Sequence, residues 1–325
     1  MPTPPERLPW SGWRRFGRTL GAVPFEPAPS LPRWLADQLP VGRNAYVLER
    51  GRHVGRTMHF IDEGPRDAPT VIMVHGNPTW SFLWRKVIAA LPGFRCIAPD
   101  LLGFGCSSPL RSAVDHTVET HAAALVELVE ALDPGPFILV GQDWGGPLAV
   151  QIGAALPERV CGLVLGNTSV LVPERPLGTA FHKFARTPVV SDLVFRGLGF
   201  PQNALWSVQG DRQSIRGRVS RAYRWPLRKI ADRIGPLALA RMVPDGPEHA
   251  SVPSLRRGES WATGFEGPTA LVWGTEDPVL GRALGRHERA FPHAPVTVTQ
   301  AGHFLQEEVP QPIADAIQDV HARAS

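Results

Sequence analysis

Val140-Gly141-Gln142-Asp143-Trp144-Gly145-Gly146 lies between two readable elements. Before it runs Phe137-Ile138-Leu139-Val140, an apolar stretch that predicts a buried strand. After it comes Pro147-Leu148-Ala149-Val150-Gln151-Ile152, which predicts a helix with proline in its first turn. A strand, a glycine-flanked polar residue and then a helix form the context of a nucleophile elbow. Glycines there let the chain turn sharply and let the next helix approach. The residue at the tip is Asp143, a carboxylate. A carboxylate that attacks carbon forms an ester, which water must then remove.

Outward from the elbow, strands alternate with helices. Val71-Ile72-Met73-Val74 predicts a strand ending at His75-Gly76-Asn77-Pro78-Thr79-Trp80, and a helix is expected from Phe82 to Leu91. Arg95-Cys96-Ile97-Ala98 is the next strand, Thr117 to Leu132 a helix capped by Thr117, and Val160 to Leu165 another strand. Ala45 to Leu48 and His59 to Glu63 are expected to open the sheet as an antiparallel pair. This rhythm implies an α/β fold with a mostly parallel central sheet covered by helices on both faces. It breaks after Val170 and resumes at Thr269-Ala270-Leu271-Val272-Trp273-Gly274, followed by a short strand, Val296 to Thr299, and a closing helix from Pro310 to Ala324. Residues 1–45 are therefore expected to be an N-terminal extension, 46–170 with 267–325 the main domain, and 171–266 an inserted helical cap. In the extension Trp10, Trp13, Phe16 and Leu20 interleave with Arg14, Arg15 and Arg18. That pattern is expected to pack on the domain surface or on a partner subunit.

The chemistry collects at strand ends. Asp277 stands just past one predicted strand in Trp273-Gly274-Thr275-Glu276-Asp277, and His303 follows the last one in Gly302-His303-Phe304. Nucleophile, acid and histidine in that chain order assign His303 as a base on water and Asp277 as the group that holds its tautomer. Any one of these residues alone would read better as a cap or surface side chain; three in order at strand ends favour catalysis. Asn77 and Trp144 follow the first buried strand and the nucleophile. Their backbone N–H groups are candidates for an oxyanion hole, and their side-chain N–H donors suit a monatomic anion such as halide. The plainer readings are a turn residue for Asn77 and packing for Trp144.

These motifs together resemble a haloalkane dehalogenase of the α/β-hydrolase superfamily. The residues that carry the resemblance are His75-Gly76-Asn77-Pro78-Thr79, Gly141 to Gly146, Trp273 to Asp277 and Gly302-His303, with Tyr223-Arg224-Trp225-Pro226-Leu227 similar to the end of that family's cap. The likeness spans roughly residues 45–320. Some family members place the acid after the strand preceding the cap; the matching position here is near Asn167, so the resemblance implies Asp277. An Asp acid with an Asn–Trp donor pair resembles one branch of the family, some of whose members are β-lactone decarboxylases of long-chain olefin biosynthesis. Dehalogenation of a haloalkane through an Asp143 ester is thus the first reading, and decarboxylation of a cis-β-lactone the alternative. An epoxide hydrolase is a second alternative, but it would need a proton donor on the ring oxygen. The chain has two tyrosines, Tyr46 and Tyr223, and only Tyr223 lies in the cap region. A fluoroacetate-type enzyme would read Arg where Trp144 stands. A degenerate fold kept for binding would be expected to lack one of Asp143, Asp277 and His303.

Composition excludes other classes. At 325 residues, 43% hydrophobic and 20% charged, the chain is an ordinary globular one. Its net charge of +4 comes with no block of Lys or Arg, so a nucleic-acid partner is not expected. Cys96, Cys106 and Cys161 lack pairing or metal-ligand spacing and predict reduced thiols. No apolar stretch approaches the roughly 20 residues of a membrane span, and the N-terminus lacks a secretory pattern, so a cytoplasmic protein is expected. No cofactor and no metal are expected. The expected partners are a small apolar substrate, a halide product, and a second copy of the chain or an enzyme of the same pathway.

Overall fold

In the computed structural model the described residues are 25–177 and 179–325. Trp10, Trp13, Phe16 and Leu20 lie outside them. Among these described residues nine strands form one sheet: β1 (Phe25–Pro27), β2 (Arg43–Val47), β3 (Thr57–Glu63), β4 (Thr70–Val74), β5 (Arg95–Pro99), β6 (Phe137–Asp143), β7 (Val160–Thr168), β8 (Thr269–Gly274) and β9 (Val296–Thr299). Their spatial order is β1-β2-β3-β5-β4-β6-β7-β8-β9. The β1–β2, β2–β3 and β3–β5 pairs are antiparallel and all the others parallel, so the sheet is mostly parallel. Residues 25–27, which the sequence places in an extension, add an edge strand to it. Proline and two exposed side chains hide that strand from a periodicity reading.

Period-two alternation divides the parallel strands between two cores. Ile72, Val74, Leu139, Leu163, Leu165 and Leu271 face one cluster, while Val71, Met73, Ile138, Val140, Val164 and Val272 face the other. Burial on both sides explains why these strands read as unbroken apolar runs. Val118–Leu132 is a helix, and Thr117 Oγ1 caps it by accepting from the Thr120 amide at 3.1 Å. The stretch expected as one helix from Phe82 is a 3-10 turn, Ser81–Trp84, followed by the short helix Arg85–Ala89.

From β4 the chain crosses to β5 on one side, whereas β6 lies on the other. A crevice opens at such a switch point, outside the carboxyl ends of the strands. The loop after β4 and the turn after β6 meet there, which brings Asn77 to Asp143. Between β7 and β8 the chain forms short helices: Ala180–Arg186, Val190–Asp192, Gly217–Arg224, Ile234–Met242 and Val252–Gly264. The last packs on the elbow helix Gly145–Ala155, where Gln151 donates to the Ser254 carbonyl at 2.8 Å. Among the described residues no helix is long and apolar enough to cross a membrane.

Candidate active site

β6 ends on Asp143 and a helix starts at Gly145, so a single turn reverses the chain. Asp143 holds φ at +52°, a region that L-residues rarely adopt. The surrounding glycines make the turn sterically feasible. A Cβ on Gly145 would strike the Val74 carbonyl, one on Gly146 the Thr168 side chain, and one on Gly76 the Asp143 carboxylate itself. Thr168 Oγ1 donates to the Asp143 carbonyl at 2.6 Å and ties the turn to the end of β7.

The Asp143 carboxylate is partly exposed and has two polar partners among the described residues. Its Oδ1 accepts from the Asn77 backbone amide at 2.6 Å. Its Oδ2 lies 3.6 Å from His303 Nε2. On the far side of the ring, His303 Nδ1 stands 2.9 Å from Asp277 Oδ2. Asp277 is buried, and its other oxygen accepts from the Val279 amide at 2.7 Å. The three residues therefore form one line, carboxylate–imidazole–carboxylate. Burial alone would lower the His303 pKa, but Asp277 and Asp143 outweigh it and push it up to about 10.

Asn77 and Trp144 flank Asp143. The Asn77 side-chain amide donates to the carbonyl of Pro236 in the inserted segment, at 3.1 Å. One of its two N–H groups is thus used, and its buried Oδ1 has no hydrogen-bond partner among the described residues. Trp144, 7% exposed, packs in the same apolar cluster as Leu239 and Met242 of the inserted segment.

Three residues at this site escaped the sequence reading. Asn167, noticed only as a non-acid, is fully buried; it donates to the carbonyls of Gly302 (2.9 Å) and His303 (3.3 Å) and accepts from the Gly274 amide (2.8 Å). Gln142 donates to the His303 carbonyl at 3.0 Å. Pro236 supplies the carbonyl that holds Asn77. All three act across the tertiary fold, and no local pattern announces them. The two tyrosines are occupied elsewhere: Tyr223 donates to Glu307 at 2.6 Å and Tyr46 to Glu127 at 3.2 Å. Among the described residues, His59, Asp100 and Cys106 bring potential metal-ligand atoms together, a grouping that cysteine spacing does not reveal. Asp100 already accepts from the Ser81 and Cys106 amides and pairs with His59 at 2.8 Å, which makes it a structural hub. A large surface concavity, about 980 Å³, is lined by Glu158, Arg159, Trp261, Phe265 and Arg323, none of which belongs to the Asp143 site.

Fold and site together define an α/β-hydrolase with a carboxylate at the elbow. A family model described as alpha/beta hydrolase fold matches residues 69–310. Haloalkane dehalogenase 2 of Mycobacterium tuberculosis is 33% identical over 302 residues, covering 91% of this chain and 98% of that protein. A cis-3-alkyl-4-alkyloxetan-2-one decarboxylase of Xanthomonas campestris is 28% identical over 277 residues, covering 81% and 92%. Among solved structures, the tetrameric haloalkane dehalogenase of Paraglaciecola agarilytica superposes with a TM-score of 0.74 at 28% identity, over 87% of this chain and 93% of that one. The chain belongs to the haloalkane dehalogenase family of α/β-hydrolases.

Proposed function

We propose that the protein hydrolyses haloalkanes through an ester on Asp143. The observation that carries the reading is the line from Asp277 through His303 to Asp143, with the Asn77 amide on the opposite carboxylate oxygen. Asp143 Oδ2 attacks an sp³ carbon and halide leaves with the bonding pair. The second Asn77 N–H and the Trp144 indole N–H receive the anion. Esterification removes one of the two carboxylates that hold the His303 proton, so the ring's pKa falls when a base is required. Neutral His303 then takes a proton from water, which attacks the ester carbonyl, while Asp277 stabilises the imidazolium. The Asn77 amide is aimed at the developing oxyanion. Alcohol, halide and a proton are released, and no cofactor takes part. Residues 171–266 act as a cap whose Pro236 carbonyl orients Asn77. The substrate is small and apolar, and the tetrameric neighbour favours a homo-oligomer.

The Xanthomonas relative favours a second reading, in which the same donors stabilise the charge as a cis-β-lactone opens and loses carbon dioxide to give an alkene. An epoxide hydrolase is disfavoured because both tyrosine hydroxyls are engaged by glutamates. His303→Phe, incubated with 1-bromohexane and weighed intact, is expected to accumulate a hexyl adduct on Asp143 while the wild type releases bromide. No adduct and no bromide, together with alkene from a long-chain cis-β-lactone, would replace the first reading with the second.

A further inference from the structure

Residues 175–233 of the inserted segment differ from the rest of the chain in charge, and they expose several large apolar side chains. Residues 175–233 hold twelve Arg and Lys against three Asp and Glu, a net +9 within a chain of net +4. The same stretch exposes large apolar side chains: Phe181 is 43% exposed, Val189 77%, Leu193 60%, Leu198 66% and Ile230 58%. They lie on adjoining elements. The Leu198 amide donates to the Leu193 carbonyl at 2.9 Å, and Arg233, in the turn Ile230–Arg233, donates to the carbonyls of Arg196 and Gly197. Arg111 reaches Asp232 at 3.6 Å across the seam with the main domain, and the nearby Val114 is 70% exposed. Lys183 and Lys229 stand among these apolar groups in the chain. Contiguous exposed apolar surface on a soluble domain marks an interaction site. Three carboxylates in or beside this stretch are already paired, Asp192 with Arg196 and Arg241, Asp232 with Arg111 and Asp245 with Arg186. The remaining exposed cations, Lys183 and Lys229 among them, give the apolar groups a net positive border that matches an anionic lipid surface: headgroup phosphates pair with the cations while the side chains enter the acyl boundary. Charge complementarity argues against a second copy of the same face, where like charges would meet.

We propose that this face of the inserted segment docks the protein reversibly on anionic bilayers. The seam between the inserted segment and the main domain would then lie against the phase in which apolar substrates concentrate. The test does not depend on turnover or on the identity of the substrate. Full-length protein is floated with vesicles of phosphatidylcholine alone and of phosphatidylcholine with phosphatidylglycerol, at low and high salt. The expected result is binding to the charged vesicles only, released by salt. Leu193→Ser with Leu198→Ser, or Lys183→Ala with Lys229→Ala, is expected to weaken that binding by at least about tenfold with an unchanged melting temperature. Failure of the wild type to float would overturn the proposal. So would variants that float as well as the wild type, since the lipid contact would then lie elsewhere on the chain. A change in oligomeric state with these substitutions would assign the face to a protein partner instead, and would equally overturn it.

Discussion

At Asn167 the side chain acts without reacting. Buried beside the site at φ +36°, it joins the end of β7 to the Gly302-His303 turn and to the end of β8. Its amide holds the backbone of the turn that carries His303. Asn167→Asp keeps the size and tolerates the left-handed backbone equally well. It removes the two N–H donors, however, and sets a carboxylate against two carbonyl oxygens. The expected loss is about 1–3 kcal/mol of unfolding free energy, measured as a lower urea midpoint at unchanged slope. An unchanged midpoint would show that the strut carries no weight. The sequence showed Asn167 only as a position lacking an acid, because its three partners are backbone groups of distant segments, and backbone groups leave no mark in a sequence.

For elements, the elbow is where sequence and geometry agree most closely. Gly145 is required because the Val74 carbonyl occupies the space of a Cβ. Gly145→Ala is therefore expected to cost about 3 kcal/mol through overpacking against backbone. Gly135→Ala is the control: φ there is +75° with open space around it, and the cost is expected to be about 1 kcal/mol. Equal melting temperatures for the two variants would contradict this account of the elbow. The parallel strands and the helix Val118–Leu132 are legible because burial imposes periods of 2 and 3.6 on them. The stretch 82–89 reads as one helix because nothing in its composition marks the change from 3-10 to α. Phe25–Pro27 escapes notice because a three-residue edge strand is set by pairing with β2 and not by its own pattern.

Over the whole molecule, histidines set opposite pH limbs. Burial lowers His75 and His121, and takes His116 and His287 down to about 4. Below their ordinary pKa of 6.5 the unfolded chain takes up protons that the folded chain refuses, so stability falls as pH drops from 6.5 toward 4. His303 has the opposite sign. Its folded value of about 10 exceeds 6.5, so its contribution is complete below pH 6.5 and is lost as pH rises toward 10. Melting temperatures measured across that range are expected to fall on both sides, and His303→Phe is expected to flatten the alkaline limb while leaving the acid limb in place. A limb that persists in the variant between pH 6.5 and about 8.5, below the range in which the buried Cys96, Cys106 and Cys161 thiols add their own, would refute the assignment. A second long-range tie holds the inserted segment to the main domain: buried Glu307 accepts from Arg85 at 2.6 and 2.8 Å and from Tyr223 at 2.6 Å. Sequence alone offers Tyr223 as a proton donor, and only its burial against Glu307 shows it as a tether.

The sequence by itself determined the alternation of strands and helices, the glycine elbow around Asp143, and the chain order Asp143, Asp277, His303, because these follow from local sterics and from the periodicity that burial imposes. Only the tertiary structure decided that Asn77, 66 positions from Asp143, lays its amide on that carboxylate, and that Pro236, 159 positions from Asn77, holds its side chain. The tertiary structure also separated Tyr223 from the site and set the exposed Leu193, Leu198 and Ile230 on adjoining elements. Contacts between remote segments depend on how the whole chain packs, and no short window of sequence contains that information.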